Sequence, residues 1–171
     1  ADYTVGIDIG EWAVTAVQVA KSFKGGYGIT AAGMVELDRH ENLEGALADL
    51  LQNEVFRQGK GIVNLSARNV SFRHVMMPFT DRKKIDQTLA FELEPQIPFA
   101  IDNAVLDFLF TARHGKGEVF AALLEKAEVS ERIRVLESLH RKVDVMDIDS
   151  FPVLSCLLER QGRKESGILL D

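Results

Sequence analysis

The stretch GIDIGEWAVTAV, from Gly6 to Val17, limits the possible folds more than any other part of the chain. It sets two runs of β-branched and apolar residues on either side of a single glycine, Gly10. That pattern calls for a strand, a tight bend and a second strand. A third run of the same character, Tyr27 to Glu36, follows the turn residues KGGYG. Tyr3 to Ile9, Trp12 to Ala20 and Tyr27 to Glu36 are therefore expected as an antiparallel meander.

Downstream, the period changes. Asn42 can cap a helix whose Leu43, Ala46, Leu47, Leu50, Leu51 and Val55 form one apolar stripe, with Gly59 and Gly61 expected to end it. Ile62 to Leu65 reads as a buried strand, and Asn69 to Met77 as another, closed by Pro78. Thr80 or Asp81 starts a helix through Ile85, Leu89 and Leu93, which Pro95 terminates by removing a donor and restricting Glu94. Two strands, Ala104 to Ala112 and Glu118 to Leu124, flank the hairpin residues RHGKG. Ser130 is expected to cap a helix carrying Ile133, Leu136 and Leu139, and Val143 to Ile148 forms a strand. Ser150, with Pro152 in the first turn, opens a helix to about Gln161. Ile168 to Asp171 then begins a further buried strand, which predicts a longer protein of which this is the first half.

Composition removes several classes of function. The net charge is −6 and the acidic and basic residues are interspersed, so no basic face is present to neutralise a nucleic-acid backbone. The chain's one cysteine, Cys156, excludes an internal disulfide framework, and its leucine neighbours suggest a buried thiol in a reducing cytoplasm. No apolar run reaches the ~20 residues that span a bilayer. Membrane association is therefore expected to be indirect, or to come from chain beyond Asp171.

GIDIG, the segment LEPQIPFAIDNAVLDF (Leu93 to Phe108) and the later VMDIDSFPVLSCLLE (Val145 to Glu159) resemble the PilM family of type IV pilus assembly proteins. More loosely, they resemble the cytoplasmic domain of the GspL family of type II secretion. QIPFAIDNAVLDF is the most specific of these markers. The resemblance implies an α/β chain with an actin-like (ribonuclease H-like) first lobe, residues 1–66 and 143–171, whose last strand begins a second lobe. An inserted β-α-β-β-α subdomain would occupy 67–142. It also implies a cytoplasmic location at the inner face of a bacterial inner membrane. The expected partners are the cytoplasmic tail of a PilN-like membrane protein, taken between lobe and insertion, and an assembly ATPase.

In nucleotide-binding relatives of that fold, the first bend cradles phosphate. The resemblance assigns Asp8 and Gly10 to the metal and phosphate side of such a site and Asp171 to the facing strand, with ATP and Mg²⁺ as the cofactors. Glycine permits close backbone approach to phosphate oxygens, and the aspartate would order a hydrated Mg²⁺. Two features oppose this. Glu11 stands where relatives place a small hydroxyl residue, and a carboxylate at ~4 Å repels each phosphate charge by about 4 kcal/mol at an effective dielectric of ~20. Thr15 occupies a position where the family typically carries lysine. The site reads as vestigial and the chain as a non-catalytic scaffold with no cofactor. The alternatives are an actin-like ATPase whose second lobe lies beyond the chain or, less well matched, a fragment of a sugar kinase.

For partner binding, the candidates are Met76 and Met77 in RHVMMPF and Ile97, Pro98 and Phe99 in IPFAID, where large apolar residues must either pack inward or meet another chain. His40, His74, His114 and His140 are scattered without metal-ligand spacing, so no metal site is expected. Gly115 to Gly117 lacks the rest of a P-loop and reads as a hairpin tip. Asp149 reads as a strand end. Ser66, Ser71, Ser150 and Ser155 lack the elbow or paired histidine of a nucleophile.

Overall fold

The computed structural model describes residues 2–23, 25–40 and 42–161. Asp171 and the strand expected from Ile168 lie outside them. The strands are β1 (Tyr3–Ile9), β2 (Ala13–Lys21), β3 (Tyr27–Glu36), β4 (Lys60–Leu65), β5 (Ser71–Met77), β6 (Ala104–Arg113), β7 (Lys116–Glu125) and β8 (Val145–Ile148). The α-helices are α1 (Leu43–Leu50), α2 (Arg82–Leu93), α3 (Lys126–Ser138) and α4 (Ser150–Gln161). Two compact units result, Ala1–Ala67 with the chain from Arg132 onward, and Arg68–Glu131.

The first unit is built on a five-stranded sheet in the order β3-β2-β1-β4-β8. β1, β2 and β3 form the antiparallel meander, while β4 and β8 run parallel to β1 and to each other in turn. Alternation sends Val5, Ile7, Ile9, Val14 and Ala16 to one face, where they meet Ala46, Leu47 and Leu50 of α1 together with Phe56 and Leu136. Asn42 caps α1 as expected, accepting from the Gly45 amide at 2.9 Å. Where β3 pairs irregularly with β2, buried Gln18 is satisfied twice. Its Nε2 donates to the Val55 carbonyl at 2.6 Å and its Oε1 accepts from the Thr30 hydroxyl at 2.8 Å.

Gly59 and Gly61 do not end α1, which stops at Leu50 and is followed by a 3-10 turn at Glu54–Arg57. Gly61 is a buried residue of β4. A Cβ there would stand 2.3 Å from the Lys142 carbonyl oxygen, so the β4–β8 crossing admits only glycine.

The second unit has a three-stranded antiparallel sheet, β5-β7-β6. α2 lies on its inner face, where Ile85, Leu89 and Leu93 pack on Val75, Met77, Val119, Ala121 and Leu123. Asp81 caps that helix by accepting from the Lys84 amide at 2.8 Å. Pro95 sits in the 3-10 turn that follows α2, as its missing donor requires. His114 and Gly115, both at positive φ, make the two-residue turn between β6 and β7. Ser130 caps nothing. β7 feeds directly into α3 at Lys126, so Ser130 lies inside the helix. Cys156 is exposed rather than buried, because Leu154, Leu157 and Leu158 beside it on α4 are themselves exposed among the described residues.

Candidate functional site

Where β1 meets β2, Ile9 pairs with Val14 and Asp8 with Thr15, leaving Gly10, Glu11, Trp12 and Ala13 as the bend. Asn64 of β4 holds its entrance: its Oδ1 accepts from the Ile9 amide at 2.7 Å and its Nδ2 donates to the Ile9 carbonyl at 3.4 Å. The Gly10 amide donates inward to the Ala13 carbonyl at 3.0 Å, and the Leu37 amide donates to the Trp12 carbonyl at 2.7 Å. Gly10 has an ordinary φ. A Cβ there would stand a tight 3.2 Å from the Ala13 oxygen. The sequence resemblance assigns Gly10 to close approach of phosphate oxygens; in the structure its nearest neighbour is the chain's own Ala13 carbonyl.

A phosphate cradle requires amides directed outward from the bend, and the Gly10 amide is directed inward. Glu11 is exposed at the apex, Trp12 is 83% exposed beside it, and the neutral Thr15 stands opposite Asp8. Asp8 is exposed near the end of β1, and Asp171 lies outside the described residues. No group of three histidine, cysteine or carboxylate side chains suited to a metal ion occurs among the described residues.

The five candidate partner residues separate into two groups. Met77, 2% exposed, belongs to the core of the second unit, and Ile97 and Phe99 pack against that core. Pro98 between them is exposed. Met76, 50% exposed, points from the opposite face of the same sheet. Strand alternation makes this unavoidable, since neighbouring residues on β5 cannot share a face. The Gln96–Asn103 segment is tied down at both ends. The Arg73 guanidinium donates to the Gln96 carbonyl through Nε at 2.9 Å and also through Nη2, and to the Phe72 carbonyl through Nη1 at 2.7 Å. At the far end the Lys126 ammonium donates to the Asp102 carbonyl at 2.6 Å.

A charged cluster that the sequence reading passed over sits at the start of β4. The Asp144 carboxylate accepts from Lys142 Nζ at 2.6 Å and from the Gly61 amide at 2.8 Å, and these bonds, the first above all, hold it below the usual carboxylate range. The same ion pair raises Lys142. The neighbouring Arg141 is 1% exposed and donates to the Arg57 and Gly59 carbonyls, and burial pushes its guanidinium down. Asp149 is structural, accepting from the Ala67 and Ser150 amides through Oδ1.

No helix among the described residues is long and apolar enough to cross a membrane. No curated protein matches the chain. Among solved structures, the chain is similar to one described as a PilM–PilN type IV pilus biogenesis complex, with 22% identity and a TM-score of 0.79, covering 94% of this chain and 52% of that one. It is also similar to the cytoplasmic domain of EpsL, an inner-membrane component of the type II secretion system of Vibrio cholerae, with 14% identity and a TM-score of 0.64, covering 85% of this chain and 57% of that one. The chain thus spans about half the length of the structures it matches. Its fold is that of an actin-like first lobe with an inserted β-α-β-β-α segment. The family model for the type IV pilus assembly protein PilM matches residues 6–161, and the chain belongs to that family.

Proposed function

We propose that the chain is a non-catalytic scaffold of an inner-membrane type IV pilus or type II secretion assembly platform, working at the cytoplasmic face of that membrane. It takes up the cytoplasmic tail of a PilN-like membrane protein and links it to the assembly ATPase. The observation that carries this reading is the family match across residues 6–161. The likeness in fold to the PilM–PilN complex and to the EpsL domain supports it. The self-closed bend at Gly10, with Glu11 at its apex, supports a scaffold rather than an ATPase.

Within the second unit, the tail is proposed to meet the ledge Ile97–Pro98–Phe99. The clamped ends hold this ledge in place before any partner arrives, which reduces the ordering cost of binding. Met77 lies in the core beneath. Titration of the 171-residue chain with synthetic peptides of the cytoplasmic tails of PilN-like membrane proteins tests the reading. Saturable binding that Pro98→Asp weakens is expected. Absence of binding by every tail, in the presence of saturable Mg-ATP binding, would overturn it in favour of an ATPase.

A further inference from the structure

The face of the second unit's sheet opposite α2 has a composition unusual for a solvated sheet, although Leu124 of β7, at an outward position opposite Val105, is buried. An antiparallel sheet with one face in water normally alternates apolar-in with polar-out. Here β6 places Leu109, 69% exposed, and Val105 outward, while Leu106, Phe108 and Phe110 pack inward. On β7, Phe120 also faces outward, between His74 of β5 and Leu109 of β6. Its ring stacks on that of Phe72, with centroids 5.5 Å apart and planes within 9°. Met76 stands one row further along, opposite Glu118. Phe72, Phe120 and Leu109 therefore form an apolar surface that crosses all three strands, with the His74–Glu118 pair between Phe120 and Met76.

Charge frames this surface asymmetrically. Asp107 lies in the row of Phe72 and Ala122, and Glu118 lies in the row of Met76 and Thr111, with His74 Nε2 3.0 Å from Glu118 Oε1. The basic side chains at outward positions of these strands, Arg113 and Lys116, stand apart at the hairpin tip. The central patch is thus apolar apart from His74, with Asp107 on one flank and Glu118, paired with His74, on the other. Its width matches a helix: three strands at ~4.8 Å spacing set β5 and β6 about 10 Å apart, close to the diameter of an α-helix. The sheet already binds a helix in this manner on its inner face, through Ile85, Leu89 and Leu93 of α2 at intervals of one turn.

We propose that the outer face of the β5-β7-β6 sheet is a docking surface for an amphipathic α-helix of a partner protein, with an apolar i, i+4, i+8 stripe flanked by lysine or arginine. The stripe lies over Phe120 and Leu109, and the flanking cations meet Asp107 and Glu118. This surface is on the opposite side of the sheet from the proposed tail ledge, and the assignment stands whether or not the tail reading holds.

The test uses the isotope-labelled 171-residue chain and a designed leucine-striped, lysine-flanked peptide of about 18 residues, long enough to hold a helix. A glutamate-flanked twin and a scrambled peptide serve as comparisons. Amide shifts confined to β5, β6 and β7, produced by the lysine-flanked peptide alone, are expected. Leu109→Asp should weaken its binding about tenfold or more, with the far-UV circular dichroism unchanged. Asp107→Lys, a second exposed change, should move the preference toward the glutamate-flanked twin. Equal binding of all three peptides, or shifts outside these strands, would overturn the proposal. So would shifts at this face that follow protein concentration without peptide, which would assign the surface to a second copy of the chain.

Discussion

The amide of Gly10 donates to the carbonyl of Ala13 at 3.0 Å, and the bend between β1 and β2 is thereby closed by its own backbone. A phosphate approaching this bend finds the Gly10 amide already engaged. Calorimetric titration with Mg-ATP is expected to give no saturable binding tighter than about 1 mM. Micromolar binding would show that the bend reopens.

The clamp of Arg73 on the Gln96 carbonyl is expected to set the order of the segment that follows α2. Arg73→Ala removes the guanidinium bonds to Gln96 and to the Phe72 carbonyl. A loss of about 1–2 kcal/mol in urea unfolding follows from deleting charge-assisted hydrogen bonds. Hydrogen exchange should accelerate at residues 96–103 before it does in β7.

Gly61→Ala is predicted to be among the most damaging single-methyl changes in the chain. The added carbon meets the Lys142 carbonyl at 2.3 Å, and neither β4 nor the backbone before β8 can retreat without breaking their pairing. A loss of about 3 kcal/mol or more is expected, or failure to fold. Gly25→Ala is the useful contrast: its added carbon meets nothing within 4 Å, but its φ is +81°. There the cost should stay near 1 kcal/mol, from backbone conformation alone.

Asp144 gives the stability a pH dependence of known sign. Its carboxyl titrates lower in the folded chain than in the unfolded one, chiefly through the hydrogen bond from Lys142 and then that from the Gly61 amide. The unfolded chain therefore binds the proton more readily. The contribution is complete above the unfolded value and is lost as the pH falls through the folded one. Asp144→Asn should be less stable than the native chain at neutral pH, and the difference should shrink on acidification below the ordinary carboxylate range.

Strand alternation made most of the architecture legible, since a period of two is a local signal that tertiary contacts seldom overrule. The meander, α2 with its Asp81 cap and the β6–β7 hairpin all follow from patterns within a dozen residues. What escaped depends on contacts distant in sequence. Gly59 and Gly61 resemble helix terminators until Tyr3 and Lys142, far along the chain, are seen to crowd them. Ser130 resembles a cap because nothing between Glu125 and Lys126 announces that a strand becomes a helix without a turn. Gly10 was identified as a point of close approach, yet what it approaches could be learned only from the closed bend. Met76 and Met77 look like one apolar pair in the sequence, whereas the pleat sends them to opposite sides of the sheet. The outer apolar face had a visible trace in β6, where AVLDFLF carries large apolar residues on both phases of the alternation.

The exposed sulfhydryl of Cys156 makes α4 chemically addressable without any mutation. Because the chain holds one cysteine, a maleimide dye or nitroxide attaches at a single place, on α4. An optical or paramagnetic reporter on the native sequence can therefore follow assembly with a membrane partner.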